Sequence, residues 1–169
     1  MRVFIGIKAG CADYLTALQQ QLKEKGRGNF TARDNLHITL KFLGEVAPHK
    51  VNAISDAITQ AGGEAFTLTC GGLHVMRKGL VVAEVSGETD KLFALQSRIE
   101  AALEILGFEK ESRPYRPHIT LARNYRGETP AVLAPQDGCS FLADETILFE
   151  SRRENGRLVY VPLFRHSLE

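Results

Sequence analysis

The sequence predicts an α+β fold in which two pseudo-symmetric strand–helix–strand units face each other across a central cleft. Two observations carry this expectation. The tetrapeptide His37-Ile38-Thr39-Leu40 returns letter for letter as His118-Ile119-Thr120-Leu121. The order strand, helix, loop, motif strand that leads from Val3 to His37 also returns between Val81 and His118. A duplicated unit of this kind tends to pack with approximate two-fold symmetry, which sets the two motif strands opposite each other.

Residues 2–8 alternate and are β-branched, so a strand is expected. Asp13 is the expected cap of a helix over 13–25, with Leu15, Leu18 and Leu22 on one face and Gly26 as its stop. Residues 26–35, rich in Gly, Asn and Asp, read as a loop, and 36–43 as the first motif strand. Pro48 opens a second helix that runs to about residue 61, striped by Val51, Ala53, Ile54, Ala57 and Ile58. Strands at 65–75 and 79–86 are joined at Met76-Arg77-Lys78-Gly79. Thr89 or Asp90 caps a long helix to about 106, with Leu92, Leu95, Ile99, Ala102, Leu103 and Leu106 inward and Gly107 closing it. A loop over 108–117 precedes the second motif strand at 118–123, and 124–140 reads as a further loop. Strands near 144–151 and 157–165, joined by the turn Glu154-Asn155-Gly156, finish the chain.

Alternation gives the repeated tetrapeptide its chemistry. Side chains along a strand change face with period two. His37 and Thr39 therefore share one face, and Ile38 and Leu40 the other; the same holds for His118 and Thr120 against Ile119 and Leu121. Each copy is a strand with an apolar back and a front of one imidazole and one hydroxyl. Two such fronts brought together converge on a small anion.

Composition bounds the rest. At 169 residues, 44% hydrophobic and 24% charged, the chain has the make-up of a soluble globular domain or two small, closely packed lobes. A net charge of +1 supplies no global field toward nucleic acid or membrane. Charge is local instead: Lys110, Arg113, Arg116, Arg123 and Arg126 bracket the second motif against Glu111. Cys11, Cys70 and Cys139 are odd in number and far apart, which predicts reduced thiols and a cytoplasmic location. Val3-Phe4-Ile5-Gly6-Ile7 is too short for a signal peptide, and no apolar run approaches the ~18 residues of a membrane span.

Two histidines without a nucleophile can cleave a phosphodiester, one taking a proton from water while the other gives a proton to the departing oxygen. An imidazole pKa of about 6.5 makes both forms accessible near neutral pH. The threonine hydroxyls would hold the non-bridging oxygens, and nearby arginines would add bidentate contacts. A zinc site needs a third ligand, and neither motif contains an Asp, Glu or Cys. No G-x-S-x-G elbow is present for a serine nucleophile. His49, His74 and His166 lack a comparable setting and read as ordinary structural or surface histidines.

With this order of elements, the paired His-x-Thr-x motifs resemble those of the 2H phosphoesterase superfamily, and within it the bacterial and archaeal RNA 2′,3′-cyclic phosphodiesterase family, also called the 2′-5′ RNA ligase family. Arg2–Ile7, Asn35–Glu45 and Arg116–Arg123 carry the resemblance, and Leu148–Arg152 is similar to the family's penultimate strand. The resemblance implies a single bilobal domain over 1–169, with lobes of antiparallel sheet built around 2–43 and 80–123, helices outside and a basic cleft between. It implies hydrolysis of an RNA terminal 2′,3′-cyclic phosphate to a 2′-phosphomonoester without metal or cofactor, and in some members 2′-5′ ligation. It implies that His37 is the proton donor, His118 the proton acceptor, Thr39 and Thr120 their partners, and Phe42, Arg116 and Arg123 substrate-binding residues. RNA ends or nucleotides bearing the cyclic phosphate are the implied partners, with a monomeric protein and no membrane. One departure is the absence of Trp, which the family often carries before the first motif; Phe30 stands nearest that place. Two alternatives stay open: a non-catalytic nucleotide or RNA-end binding module, and a related enzyme acting on a different cyclic phosphate or 2′-5′ linkage.

Overall fold

The apolar stripes read from the sequence become the core, and the elements they define all form. The computed structural model describes residues 1–128 and 138–169. Among these, the elements are β1 (Arg2–Lys8), α1 (Ala12–Lys25), β2 (Gly26–Phe30), β3 (His37–Glu45), α2 (Val51–Ala61), β4 (Phe66–Val75), β5 (Val81–Gly87), α3 (Thr89–Glu104), β6 (His118–Gly127), β7 (Cys139–Ala143), β8 (Glu145–Glu154) and β9 (Arg157–Ser167). Leu15, Leu18 and Leu22 of α1, Ile54 and Ile58 of α2, and Leu92, Leu95, Ile99 and Leu103 of α3 are buried. Two stripe residues depart from this: Ala53 of α2 is exposed, and Leu106, expected on the buried face of α3, lies past the helix end and is exposed.

The helix caps differ from expectation. Cys11, in a left-handed conformation at φ 59, precedes α1, and Asp13 sits in the first turn, paired with Arg33 at 2.6 Å. Glu88 precedes α3, and its carboxylate accepts from the Thr67 backbone N–H at 2.9 Å. Two strands fall where loops were expected. Gly26–Phe30 pairs with a β6 that runs on past its motif to Gly127. The glycines permit that approach, since a Cβ on Gly26 would collide with the Arg126 carbonyl oxygen. Cys139–Ala143 pairs with β4 along the sheet edge. The middle of the expected 124–140 loop, 129–137, lies outside the described residues. Asn155 and Gly156, at φ 52 and 77, form the tight β8–β9 turn expected there.

The strands build one antiparallel sheet in the order β7-β4-β5-β6-β3-β1-β8-β9, with β2 on β6. Its two halves meet where β3 runs beside β6, and there a single residue pair, Ile38 opposite Ile119, joins them. Connectivity crosses this seam. β4 follows β3 in the chain but pairs with β5 in the other half, while β8 and β9 follow β6 but complete the half that contains β1. The helices cross as well, α1 packing on β6 and α3 on β3. No helix among the described residues is long and apolar enough to cross a membrane.

The cysteines are not all free thiols. Cys11 and Cys139 form a disulfide with Cα atoms 6.1 Å apart, corrected from the expectation of three reduced thiols. Residues distant in sequence meet because β7 lies against the entry to α1, a proximity that spacing alone does not encode. Cys70 is buried, and burial pushes its thiol up to about 11, so it exists as the unreactive thiol form. Closing a sequence separation of 128 restricts the unfolded chain strongly. Reduction, or Cys11→Ser with Cys139→Ser, is expected to remove about 2–4 kcal/mol of stability. The check is the denaturant midpoint with and without reductant; an unchanged midpoint would show that the bond adds nothing.

Candidate functional site

The Ile38–Ile119 pair turns both apolar residues to the same face and so places His37, Thr39, His118 and Thr120 together on the opposite one. Because the strands run antiparallel, His37 faces toward Thr120 and Thr39 toward His118. All four line one cleft of about 820 Å³.

Each imidazole is oriented the same way. His37 Nδ1–H donates to the Asn35 carbonyl at 2.7 Å, and His118 Nδ1–H to the Arg116 carbonyl at 2.8 Å. A carbonyl only accepts, so the proton sits on Nδ1 in both rings and Nε2 is left for chemistry. In the neutral form, His37 Nε2 accepts from the Thr39 hydroxyl at 2.9 Å. Asn35 is itself buried and donates through Nδ2 to the Leu158 carbonyl at 2.8 Å, which fixes the turn that carries His37.

Immediately after each tetrapeptide, the strand shifts phase. Along β1–β3 the pairing steps from Gly6 opposite Thr39 to Ile5 opposite Lys41, leaving Leu40 as an extra residue. Along β5–β6 it steps from Val82 opposite Thr120 to Val81 opposite Ala122, leaving Leu121 as the extra residue. These are β-bulges at equivalent positions of the two repeats. Strict alternation would put Phe42 in the core with Ile38 and Leu40. The bulge buries Leu40 and Lys41 together and turns Phe42 outward, 60% exposed, into the cleft. Its counterpart does the same for Arg123, with Leu121 and Ala122 both buried.

The carbonyl of each extra residue lies inside the core and accepts from a buried glutamine on the helix of the other repeat; that of Leu121 also accepts from the Thr31 backbone N–H at 3.0 Å. Gln19 of α1 donates to the Leu121 carbonyl at 3.0 Å and to the Thr31 carbonyl at 2.8 Å. Gln96 of α3 donates to the Leu40 carbonyl at 3.5 Å. Lys41 points away from the cleft; its ammonium bonds both oxygens of Glu100 at 3.0 and 3.1 Å and the Glu109 carbonyl at 2.8 Å. Tyr115 completes this backing by donating to the Thr39 carbonyl at 2.8 Å.

The expected site residues therefore divide. His37, Thr39, Phe42, His118, Thr120 and Arg123 share the cleft. Arg116 does not; it lines an adjoining cavity that also touches His118. Sequence reasoning missed the cleft's other cations, Arg2, Arg152 and Arg153, which come from β1 and β8. Their signal was weak, because Arg2 stands alone and Arg152-Arg153 lies between Glu150 and Glu154. It also missed an aromatic cage. Phe4 lies 4.8 Å from the His37 ring, Tyr160 stands edge-on at 5.2 Å and Phe149 at 6.3 Å. Burial in this cage lowers the His37 pKa; the bond to Asn35 opposes that, and His118 and Arg123 lower it further. Among the described residues, no three of His, Cys, Asp and Glu converge as a metal-binding group.

The family model described as LigT like Phosphoesterase matches this chain twice, over residues 5–86 and 82–160, close to one match per repeat. The chain is 32% identical over 142 residues to an RNA 2′,3′-cyclic phosphodiesterase of Escherichia coli (strain K12), covering 83% of this chain and 80% of that protein. It is also 32% identical over 125 residues to an RNA 2′,3′-cyclic phosphodiesterase of Methanocaldococcus jannaschii, covering 73% and 71%. The crystal structure of E. coli LigT complexed with 3′-AMP superposes with a TM-score of 0.84 at 29% identity, over 99% of this chain and 97% of that one.

A depressed His37 pKa has a direction that can be measured. Stability gained by burying His37 uncharged is fully present above its unfolded value of about 6.5 and is lost as pH falls from there toward the lower folded value. Tyr160→Ala opens the cage and is expected to raise the His37 pKa toward about 6.5. Titration of the imidazole resonances by NMR checks this; an unmoved His37 would remove the cage as the cause.

Proposed function

Because this chain belongs to the LigT-like phosphoesterase family, we propose that it hydrolyses RNA terminal 2′,3′-cyclic phosphate to a 2′-phosphomonoester by metal-independent acid–base catalysis in the cleft between the motif strands. The single observation that carries the reading is the matched pair of imidazoles, each with Nδ1 tied to a backbone carbonyl two residues earlier and Nε2 directed to chemistry. A non-catalytic binder has no use for an acid and a base held so alike.

In this reading, the cyclic phosphate anion lies between the two rings. Neutral His118 takes a proton from the attacking water as the new P–O bond forms. The bond from phosphorus to the 3′-oxygen breaks, and His37, as imidazolium, gives that oxygen its proton. The Thr39 and Thr120 hydroxyls donate to the non-bridging oxygens. Arg123 supplies charge next to the phosphate, and Phe42, exposed at the cleft wall, offers a face for the base. Arg116 reaches substrate only from the adjoining cavity. The cage favours neutral His37, which opposes its role as donor. A bound phosphate anion offsets the repulsion from His118 and Arg123 and favours the imidazolium. With a nucleoside hydroxyl in place of water, the same arrangement forms a 2′-5′ linkage. The protein acts as one bilobal domain and as a monomer. A cytoplasmic setting belongs to this reading, and the Cys11–Cys139 disulfide is the feature that does not support it.

His37→Ala and His118→Ala are each expected to lower turnover of a cyclic-phosphate oligonucleotide by about 100- to 10,000-fold, with the double variant little worse than either single one. Circular dichroism establishes that the variants are folded. Near wild-type rates in both folded variants would turn the reading toward a binding module. Regiochemistry is a separate expectation. In-line attack places the acid beside the leaving oxygen, so one bond should break, and phosphorus NMR should find the 2′-phosphate. A mainly 3′-phosphate product would reverse the roles given to the two histidines.

A further inference from the structure

Beside His118 lies a second cavity of about 340 Å³, within the range of small-molecule pockets. Among the described residues, His118 alone lines both this cavity and the cleft. Its walls are apolar at Met76, Val82, Val85 and Phe93, and polar at Glu84 and Arg116. Phe93 is 43% exposed although it is a large aromatic side chain. It stands edge-on to Tyr115 at 5.6 Å, and Tyr115 is tied to the first motif through the Thr39 carbonyl. The platform is thus held by the same backing that holds the catalytic strands.

We infer that this cavity is a subsite for a nucleoside whose hydroxyl replaces water as the group activated by His118; the inference rests on the proposed role of His118 as proton acceptor. Two imidazoles acting in line stand on opposite sides of the phosphorus. An oxygen that attacks from the His118 side carries its substituent away from the phosphorus and past that ring, where this cavity opens. Attacking water carries no substituent and needs no such space. The walls match a nucleobase: the Phe93 ring is a stacking face, Arg116 offers donors in a planar fork, and Glu84 offers acceptors for exocyclic amines. The step balances. The hydroxyl proton passes to His118 Nε2 as oxygen bonds phosphorus, the P–O3′ bond breaks, and O3′ takes its proton from His37. The product is a 2′-linked dinucleoside monophosphate.

The test compares wild type, Phe93→Ala and Phe93→Tyr on a mononucleoside 2′,3′-cyclic phosphate, with and without added adenosine. Wild type is expected to divert part of its product to the dinucleoside monophosphate, saturably in adenosine. Phe93→Ala should raise the KM for adenosine about 10-fold or more, leave hydrolysis of the cyclic phosphate alone unchanged, and Phe93→Tyr should retain the wild-type value. Hydrolysis without any saturable diversion, or an equal loss of both reactions in Phe93→Ala, overturns the subsite. A second arm uses a dinucleotide that ends in a cyclic phosphate. If Phe93→Ala raises the KM for that substrate and not for adenosine, the cavity serves the upstream nucleotide and the inference is overturned. Should wild type fail to hydrolyse the cyclic phosphate at all, the reading of the cleft fails. The subsite is then judged separately by NMR, where adenosine must shift the Phe93 ring resonances or the subsite falls as well.

Discussion

An extra residue in each motif strand carries its backbone carbonyl inside the core, where a carbonyl left without a donor would cost about 1–3 kcal/mol. Satisfying the Leu40 and Leu121 carbonyls is the constraint around which the molecule is organised. Gln96 and Gln19 help meet it from across the seam, Gln19 beside the Thr31 backbone N–H, so each helix is bonded to the strand of the opposite repeat. The same two bulges turn Phe42 and Arg123 out of the core and into the cleft. Packing and site are therefore one arrangement: the polar bonds that complete the interior also aim the residues at the cleft wall.

Identical tetrapeptides end in unlike surroundings. His37 lies against Phe4, Phe149 and Tyr160, three aromatic side chains that shed water from its ring and disfavour its charge. His118 forms a wall between two cavities. The equivalents of Lys41 and its buried pair with Glu100 are also absent from the second repeat, where Ala122 occupies the matching place. Duplication supplies the imidazoles and hydroxyls, and divergence of the surroundings makes the two rings inequivalent.

The tetrapeptides themselves were legible because alternation is a local property. Within His37–Leu40 and His118–Leu121, the period of two decides which side chain meets solvent, and the structure follows it. One residue later it fails, since nothing in Leu40-Lys41 or Leu121-Ala122 marks a bulge; the phase shift is set by pairing with β1 and β5. The helices were legible from their leucine stripes. The edge strands Gly26–Phe30 and Cys139–Ala143 were not, because short strands draw their order from a neighbour rather than from their own pattern. The aromatic cage joins residues from β1, β3, β8 and β9, and the disulfide joins the start of α1 to β7; each is a contact of tertiary origin.

The crossing of strands over the seam bears on how such a chain could have arisen. β4 lies in the half built by the second repeat, and β8 in the half built by the first. A protein carrying one repeat would present an unpaired edge where the exchanged strand belongs, together with a helix whose glutamine lacks its partner carbonyl across the seam. Two copies of that shorter protein could supply both to each other as a closed two-fold dimer, each lending a strand and a helix to its twin. Such a dimer would hold two identical imidazole–threonine fronts about its axis, with neither ring distinguished as acid or base. Joining the copies into one chain is what allows the two sides of the axis to differ.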